Sequence, residues 1–344
     1  MLKKLTFAGI LAACSLNTFA LNIVVVNDDS YDTKNVQQLK LALESAGHDV
    51  LMSVPCAHQS GKGGSMGSYL APVPVHKLTA DVDGVLNIDD AAEHADGYCV
   101  GDTEAEKATK TFKEYKDGTP LMASAHGLYL ANQKWGQNPD LVISGPNEGQ
   151  NVGFAVFISG TLGAAHYAIV NGVPAIAVSA GATPATESDA LVHAKMVADV
   201  TLKIVDQLAT KQRSGEPLLA DKTGLNVNLP DYAMLSGAKF KLTDVNWYFG
   251  SALQWSDLGA AGGYGSYYGY PEGAGLFGLN FFPGQDQSGD DSAQSEGNAI
   301  QAGYIAISTI DATENAPAHK ARAVAKKLFG LIKERGQHHE HDHH

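Results

Sequence analysis

Residues 21–29 read LNIVVVNDD. LNIVVV is an almost continuous apolar run rich in β-branched residues, the pattern of a strand covered on both faces. It ends abruptly in an amide and two carboxylates, Asn27, Asp28 and Asp29. The next segment spaces Val36, Leu39, Leu43 and Ala46 along one helical face and stops at Gly47. Asp49 to Val54 (DVLMSV) reads as a second strand and Val82 to Ile88 as a weaker third. Pro139 to Ser144 (PDLVIS) and Pro174 to Ser179 (PAIAVS) are two further apolar runs, and Glu187 to about Lys211 is a long helix. Alternation of this kind predicts an α/β fold, a mostly parallel sheet flanked by helices on both faces. In such sheets ligands bind beyond the carboxyl ends of the strands. That rule directs attention to the loops that follow each run.

Farther along, Leu225 to Pro230 (LNVNLP) alternates as a strand, Tyr304 to Ile310 (YIAISTI) reads as another, and Ala316 to Glu334 as a closing helix. Between them lie a Gly/Tyr/Phe-rich stretch, 259–284, and a polar acidic one, 285–297. The former fits either an aromatic platform for a base or, more commonly, an insertion folded on itself.

The chain has 344 residues, 44% hydrophobic and 18% charged, a globular composition. Lys and Arg number 24 against 37 Asp and Glu, for a net charge of −13. That excludes duplex nucleic acid as the main partner, which needs clustered cations, but permits a nucleotide held by a metal and backbone amides. No apolar run after the N-terminus is long enough to span a membrane. The first twenty residues read as an export signal, with Lys3 and Lys4, an apolar Leu5 to Ala13 and the small-flanked Thr18-Phe19-Ala20. Cleavage after Ala20 places the protein in the periplasm. Leu11-Ala12-Ala13-Cys14 also resembles a lipoprotein box, which would leave only Ser15 to Leu21 as tether. Export leaves Cys56 and Cys99, both expected in loops after strands; a bridge and two buried thiols are both open. The absence of a CxxC motif argues against a thiolate metal site. The His-rich tail, 336–344, is expected to be disordered and separate from the active site.

Adjacent buried carboxylates are costly unless a cation sits between them, and oxygen ligands suit Mg²⁺ or Mn²⁺. One of the two Asp could instead cap the following helix. Residues 58–65 (HQSGKGGS) form a Gly/Ser loop able to cradle a phosphate, 144–151 read SGPNEGQN, and 159–165 (SGTLGAA) have the composition of a phosphate-binding helix N-terminus. Asp, Ser and Asn ligands on three strand-end loops, with amides and hydroxyls on a fourth, suit metal-assisted hydrolysis of a phosphate ester.

These stretches together resemble the stationary-phase survival protein family, SurE, of metal-dependent nucleoside monophosphate phosphatases. The resemblance rests on IVVVNDD at 23–29, QSGKGGS at 59–65, PDLVISGPNEGQNVG at 139–153, SGTLGAAHYA at 159–168, PAIAVS at 174–179, LNVNLP at 225–230 and GYIAIST at 303–309. It implies a Rossmann-like core, over about 21–230, with a C-terminal β-containing extension, about 231–316, used in oligomerisation as a homodimer or homotetramer. It implies one divalent cation, Mn²⁺ or Mg²⁺, held by Asp28, Asp29, Ser60 and Asn147. Phosphate contacts fall on Asn151, Ser159, Gly160 and Thr161. Asp28 or Asp29 would orient or deprotonate the attacking water, and His58 and His166 are candidates for the general acid by position. The implied activity is hydrolysis of nucleoside 5′- or 3′-monophosphates. A broad acid phosphatase or exopolyphosphatase, and a non-catalytic metal- or nucleotide-binding protein on the same scaffold, are the rivals. Departures from the family pattern are Ser30 in place of Gly, Tyr167 in place of Glu, and Leu121-Met122-Ala123 after Gly118-Thr119-Pro120.

Overall fold

The structure is a computed structural model and describes residues 20–67, 70–111, 113–273, 275–313 and 318–328. The expected export signal, with Cys14, and the His-rich tail lie outside the described residues, apart from Ala20. Residues up to Asp311 form one compact unit, and a second begins at Ala312.

The first unit opens with β1 (Asn22–Val26), α1 (Lys34–Ser45) and β2 (Asp49–Pro55). There follow β3 (Val75–Ala80), β4 (Leu86–Ile88), β5 (Gly97–Val100), α2 (Glu104–Ala108) and α3 (Pro120–Trp135). Next come β6 (Leu141–Glu148), α4 (Ala155–Ile158), α5 (Gly160–Val170), β7 (Ala175–Ala180), α6 (Glu187–Lys211) and β8 (Thr223–Asn228). The extension contains α7 (Tyr232–Leu235), β9 (Lys239–Thr243), β10 (Ser251–Asp257), α8 (Tyr264–Tyr267), β11 (Phe277–Pro283), α9 (Glu296–Gln301) and β12 (Tyr304–Asp311). The second unit holds α10 (Ala318–Lys327), exposed along its length; it is what the structure describes of the expected closing helix.

Ten strands make one mixed sheet in the order β4-β3-β5-β2-β1-β6-β7-β8-β12-β9. Its centre is parallel: β1 lies between β2 and β6, and β7 and β8 continue the same direction. The chain steps outward from β1 through β2 and β5, then returns to add β6 on the other side, so the crevice at β1 and β6 is the topological switch point. Helix α1 packs on α6 over one face of the sheet, and α3 packs on α5 over the other. Burial on both sides explains the unbroken apolar runs: Ile23, Val24, Val25 and Val26 are inaccessible, as are Leu141, Val142, Ile143, Ile176 and Val178. The helices start where local chemistry says they should. Thr119 Oγ1 accepts from Met122 N ahead of Pro120, Ser159 Oγ from Leu162 N, and Thr186 Oγ1 from Asp189 N.

Two expectations need correction. Val82 to Ile88 is a strand only from Leu86: Asp81 Oδ1 accepts from Asp83 N and Val85 N, which folds 81–85 into a turn and leaves Val82 fully exposed. β3 and β5, which flank it, are short and lack a legible apolar period. Cys99 is not in a loop but within β5, paired in register with Val54 of β2. Because Cys56 follows β2 directly, the two sulfurs meet, and Cys56–Cys99 is a disulfide. The Gly/Tyr-rich stretch is, as expected, an insertion folded on itself: it holds α8 and β11, and β11 pairs with β10 in a separate two-stranded antiparallel sheet. No described helix is long and apolar enough to cross a membrane.

Candidate active site

Asp28 and Asp29 sit immediately beyond the carboxyl end of β1, 3% and 2% exposed. Each carboxylate is fixed by a neighbouring loop. Thr161 Oγ1, in the first turn of α5, donates to Asp28 Oδ1 at 2.7 Å, and Glu148 N donates to Asp29 Oδ2 at 2.7 Å. The Gly/Ser loop is tied to the same place, since Gln59 N donates to the Asp28 carbonyl at 2.8 Å. Burial pushes the Asp28 carboxyl up to about 6, with the Thr161 hydrogen bond opposing it. Burial, then the charge of Asp28, holds Asp29 well above the usual carboxylate range.

Two glycines permit this packing. Gly145 has φ +111, just before the Gly145–Pro146 cis bond, and a Cβ there would lie 2.2 Å from Val178 O. The β6–β7 ladder breaks at this point, between Ser144 and Asn147, and resumes with Asn147 at the crevice. Gly160 lets α5 approach β1: a Cβ would lie 2.7 Å from Asp28 Cβ and 2.8 Å from Asp28 Oδ2.

Asp28, Ser60, Asn147, Asn151 and Ser159 line one open cleft of about 890 Å³. Asp29, Gly160 and Thr161 stand behind it and reach it through Asp28 and the helix terminus. Ser159 caps α5 by accepting from Leu162 N at 3.1 Å, and Gly160, the first residue of that helix, lies against Asp28. The Thr161 hydroxyl is inaccessible, donating to Asp28 and accepting from Asn151 Nδ2 at 3.2 Å. Asn147 Nδ2 donates to Gly149 O, which leaves Oδ1 as the atom able to ligate a cation. His58 Nδ1 is 3.8 Å from Asp29 Oδ1. Neither His58 nor His166 is among the cleft-lining residues.

Ser30 occupies φ +81 and is buried, its hydroxyl donating to the Cys56 carbonyl at 3.3 Å. A side chain there carries left-handed strain of roughly 1 kcal/mol. Ser30→Gly and Ser30→Ala both lose the hydroxyl, so the glycine variant should be the more stable of the two by about that amount in urea unfolding. Equal stabilities would remove the strain argument.

Sequence reading did not find the polar layer beneath the cleft. Asn151 Nδ2 also donates to Ser179 Oγ at 2.9 Å, and Asn226 and Asn228 donate to the Asn151 carbonyl. Asn226 Nδ2 further contacts both oxygens of Glu296, which also accepts from Ser308 Oγ at 2.9 Å. The signal was present: Asn226 and Asn228 alternate on one face of a strand that is buried throughout its inner residues. Burial pushes Glu296 up to about 8, so the fold retains its proton while the unfolded chain loses it from about 4.5. Between those values the native state binds more protons, and stability falls as pH rises. Wild type should lose stability relative to Glu296→Gln across that window and not below it, by denaturant unfolding at fixed ionic strength. A pH-independent difference would contradict the assignment.

A donor set of two carboxylates, a hydroxyl and a side-chain amide is oxygen-only and fits a hard divalent cation. Among the residues lining the cleft there is no Lys or Arg, while Asp28, Glu148 and Asp231 are acidic. No group of three His, Cys, Asp or Glu with metal-binding geometry occurs among the described residues, so any cation here rests on the two Asp and on neutral oxygens.

Comparison with known proteins agrees with this geometry. The family model for Survival protein SurE matches residues 23–248. The chain belongs to the SurE family. An acid phosphatase of Yarrowia lipolytica is 33% identical over 216 residues, which cover 60% of this chain and 56% of the yeast protein. The 5′-nucleotidase SurE of Xanthomonas campestris pv. campestris is 29% identical over 224 residues, covering 65% of this chain and 69% of that one. Both names denote phosphoric monoester hydrolases. The SurE protein from Aquifex aeolicus shares the fold at 22% identity, with a TM-score of 0.60 over 90% of this chain and 99% of that chain. The chain thus spans little more than half the length of the yeast relative. The SurE match includes every strand of the parallel centre and all eight site residues expected from sequence.

Proposed function

We propose that this SurE protein is a metal-dependent phosphomonoesterase that hydrolyses nucleoside 5′- or 3′-monophosphates. The observation that carries the reading is the buried Asp28–Asp29 pair at the head of a cleft lined by no Lys or Arg. A phosphate dianion entering such a cleft needs a cation, and the carboxylates need one as much. Asp28, Asp29, Ser60 and Asn147 would hold it, Mn²⁺ or Mg²⁺ by donor chemistry. When bound, the cation supplies charge neutralisation and a water of lowered pKa. The amides of the α5 N-terminus, with Ser159, bind the phosphoryl oxygens and favour the charge that develops on them, while Asn151, whose side-chain amide already donates to Thr161 and Ser179, holds the cleft floor in place and is not free to donate to phosphate as expected. Thr161 holds Asp28 at 2.7 Å, which fixes the carboxylate that orients the attacking water. His58, whose Nδ1 lies 3.8 Å from Asp29 Oδ1, is the candidate for protonating the leaving oxygen.

The yeast relative's name favours a broader acid phosphatase as the second reading. Rates on a panel of nucleoside monophosphates, p-nitrophenyl phosphate and polyphosphate separate the two. Uniform rates across the panel support the broader enzyme.

Export to the periplasm is supported by the Cys56–Cys99 pair, since such bridges persist in oxidising compartments. Assembly into a homodimer or homotetramer is supported by the β10–β11 hairpin, whose Trp255, Phe277 and Leu279 are largely exposed. A lone two-stranded hairpin is marginal in water, and a second copy would cover it. Sedimentation at micromolar concentration tests this, with a monomer as the contrary result.

A further inference from the structure

Ser60, the hydroxyl of the donor set, sits in the loop 58–65, HQSGKGGS. Gly61 and Gly63 hold φ +74 and +51, and a chain of that composition has many conformations to lose. The fold holds it on several sides. Gln59 N donates to the Asp28 carbonyl at 2.8 Å, and Gly63 N to Ile158 O at 3.0 Å. Thr119 Oγ1 donates to Ser65 O at 2.6 Å. Gly163 gives room on the α5 side, where a Cβ would lie 2.1 Å from Gly63 O.

The side chains on either side of Ser60 converge on one carboxylate from a distant part of the chain. Asp117 Oδ1 accepts from Gln59 Nε2 at 3.1 Å, and Oδ2 accepts from Lys62 Nζ at 3.1 Å. Lys107 Nζ of α2 lies 2.8 Å from Oδ1, and the Asp117 and Lys107 side chains are each 16% exposed. Close backbone packing fixes the carboxylate's own position. A Cβ on Gly118 would lie 1.9 Å from Val100 O, and one on Gly101 2.2 Å from Gly118 N. Buried Asp102 accepts from Lys116 N at 2.7 Å, and its amide donates to Lys116 O at 2.8 Å. A tightly packed segment thus stands behind Asp117 and a glycine-rich loop in front of it. Asp117 does not line the cleft, so any effect it has on the site passes through that loop.

We propose that Asp117 is a positioning residue for the cation site: by holding Gln59 and Lys62 it presents Ser60 before the cation arrives, and it neutralises the ammonium two residues along from that ligand. The proposal rests on the phosphomonoesterase reading, in which Ser60 is a ligand, and extends it. Without the clamp the loop samples other conformations. If the competent one falls to about a tenth of the molecules, the apparent Kd for the cation rises about tenfold.

The test measures Mn²⁺ binding by calorimetry on the full-chain, metal-stripped protein, with amide hydrogen exchange followed in the same metal-free samples. Asp117→Ala should weaken Mn²⁺ by about tenfold or more and speed exchange at Gln59 and Gly63, whose amides are bonded outside the loop. Exchange along β1 and β6 should not change. With AMP as substrate, the Mn²⁺ concentration for half-maximal rate should rise by the same factor. At saturating Mn²⁺ kcat should stay within about twofold, since the bound cation restores the loop. Asp117→Asn keeps an acceptor for Gln59 and loses the charge, so its affinity should fall between wild type and the alanine variant. Unchanged affinity and loop exchange in folded Asp117→Ala, or a lower melting temperature with unchanged affinity, would overturn the proposal and leave the phosphatase reading intact. Should the alanine variant fail to fold, an asparagine variant that binds Mn²⁺ as wild type does would overturn it. Metal binding without hydrolysis of any ester would overturn the phosphatase reading instead, and the affinities would still decide the clamp.

Discussion

Asp28→Asn should lower phosphate release from AMP by about a thousandfold or more while making the metal-free protein more stable at pH 7. Both effects come from one carboxylate. Asp28 is almost fully buried beside Asp29, and its pKa is pushed up to about 6 from an ordinary 3.8. An acid whose folded pKa is raised costs nothing below 3.8, costs progressively more as pH rises, and costs its full amount above about 6. The difference is about 3 kcal/mol at pH 7. The amide removes that cost and retains an oxygen for Thr161. A bound cation offsets the same cost in the wild type, so Mn²⁺ should raise the melting temperature of the wild type far more than that of the variant. Undiminished hydrolysis by folded Asp28→Asn would dismiss the proposed mechanism.

The second large effect is on stability. Cys56 and Cys99 close a loop with a sequence separation of 43, and the chain-entropy model assigns such a link about 4 kcal/mol. The bridge also fixes the end of β2, from which His58, Gln59 and Ser60 follow. Ser30 donates to the Cys56 carbonyl, and the Cys56 amide bonds to Val100 O. Replacing both cysteines by serine should therefore lower the urea midpoint strongly and also weaken Mn²⁺ binding, because Ser60 rides on the loosened loop. Unfolding curves that coincide for wild type and variant would show that β2 and β5 hold the loop unaided.

The parallel centre was legible because burial on both faces writes itself as continuous apolar runs. Residues 21–26, 139–144 and 174–179 all fall on central strands. The left edge was not legible. β3, β4 and β5 are short, two antiparallel pairs join all three, and the side chains of β3 and β4 are largely half-exposed or exposed, so neither period nor composition sets them apart. Loop composition pointed to the loops that meet at the cleft because the switch-point rule says where to look, and the individual residues came from the family resemblance. It could not show that Thr161 faces Asp28 and not the cleft, a fact set by the 2.7 Å approach of α5 over Gly160. Nor could it show that Tyr248 and Phe249, 100 residues and more from Asn147, return to wall the site. That arrangement depends on Asp286 and Asp290 binding their amides, a long-range contact with no local signature.

The most direct test is phosphate release from AMP by protein stripped of metal with chelator, before and after addition of Mn²⁺. The stripped protein should be inactive and Mn²⁺ should restore release, with Mg²⁺ as the alternative cation. Equal release with and without added cation, or none with either in a folded protein, would contradict a carboxylate pair that works by holding a metal.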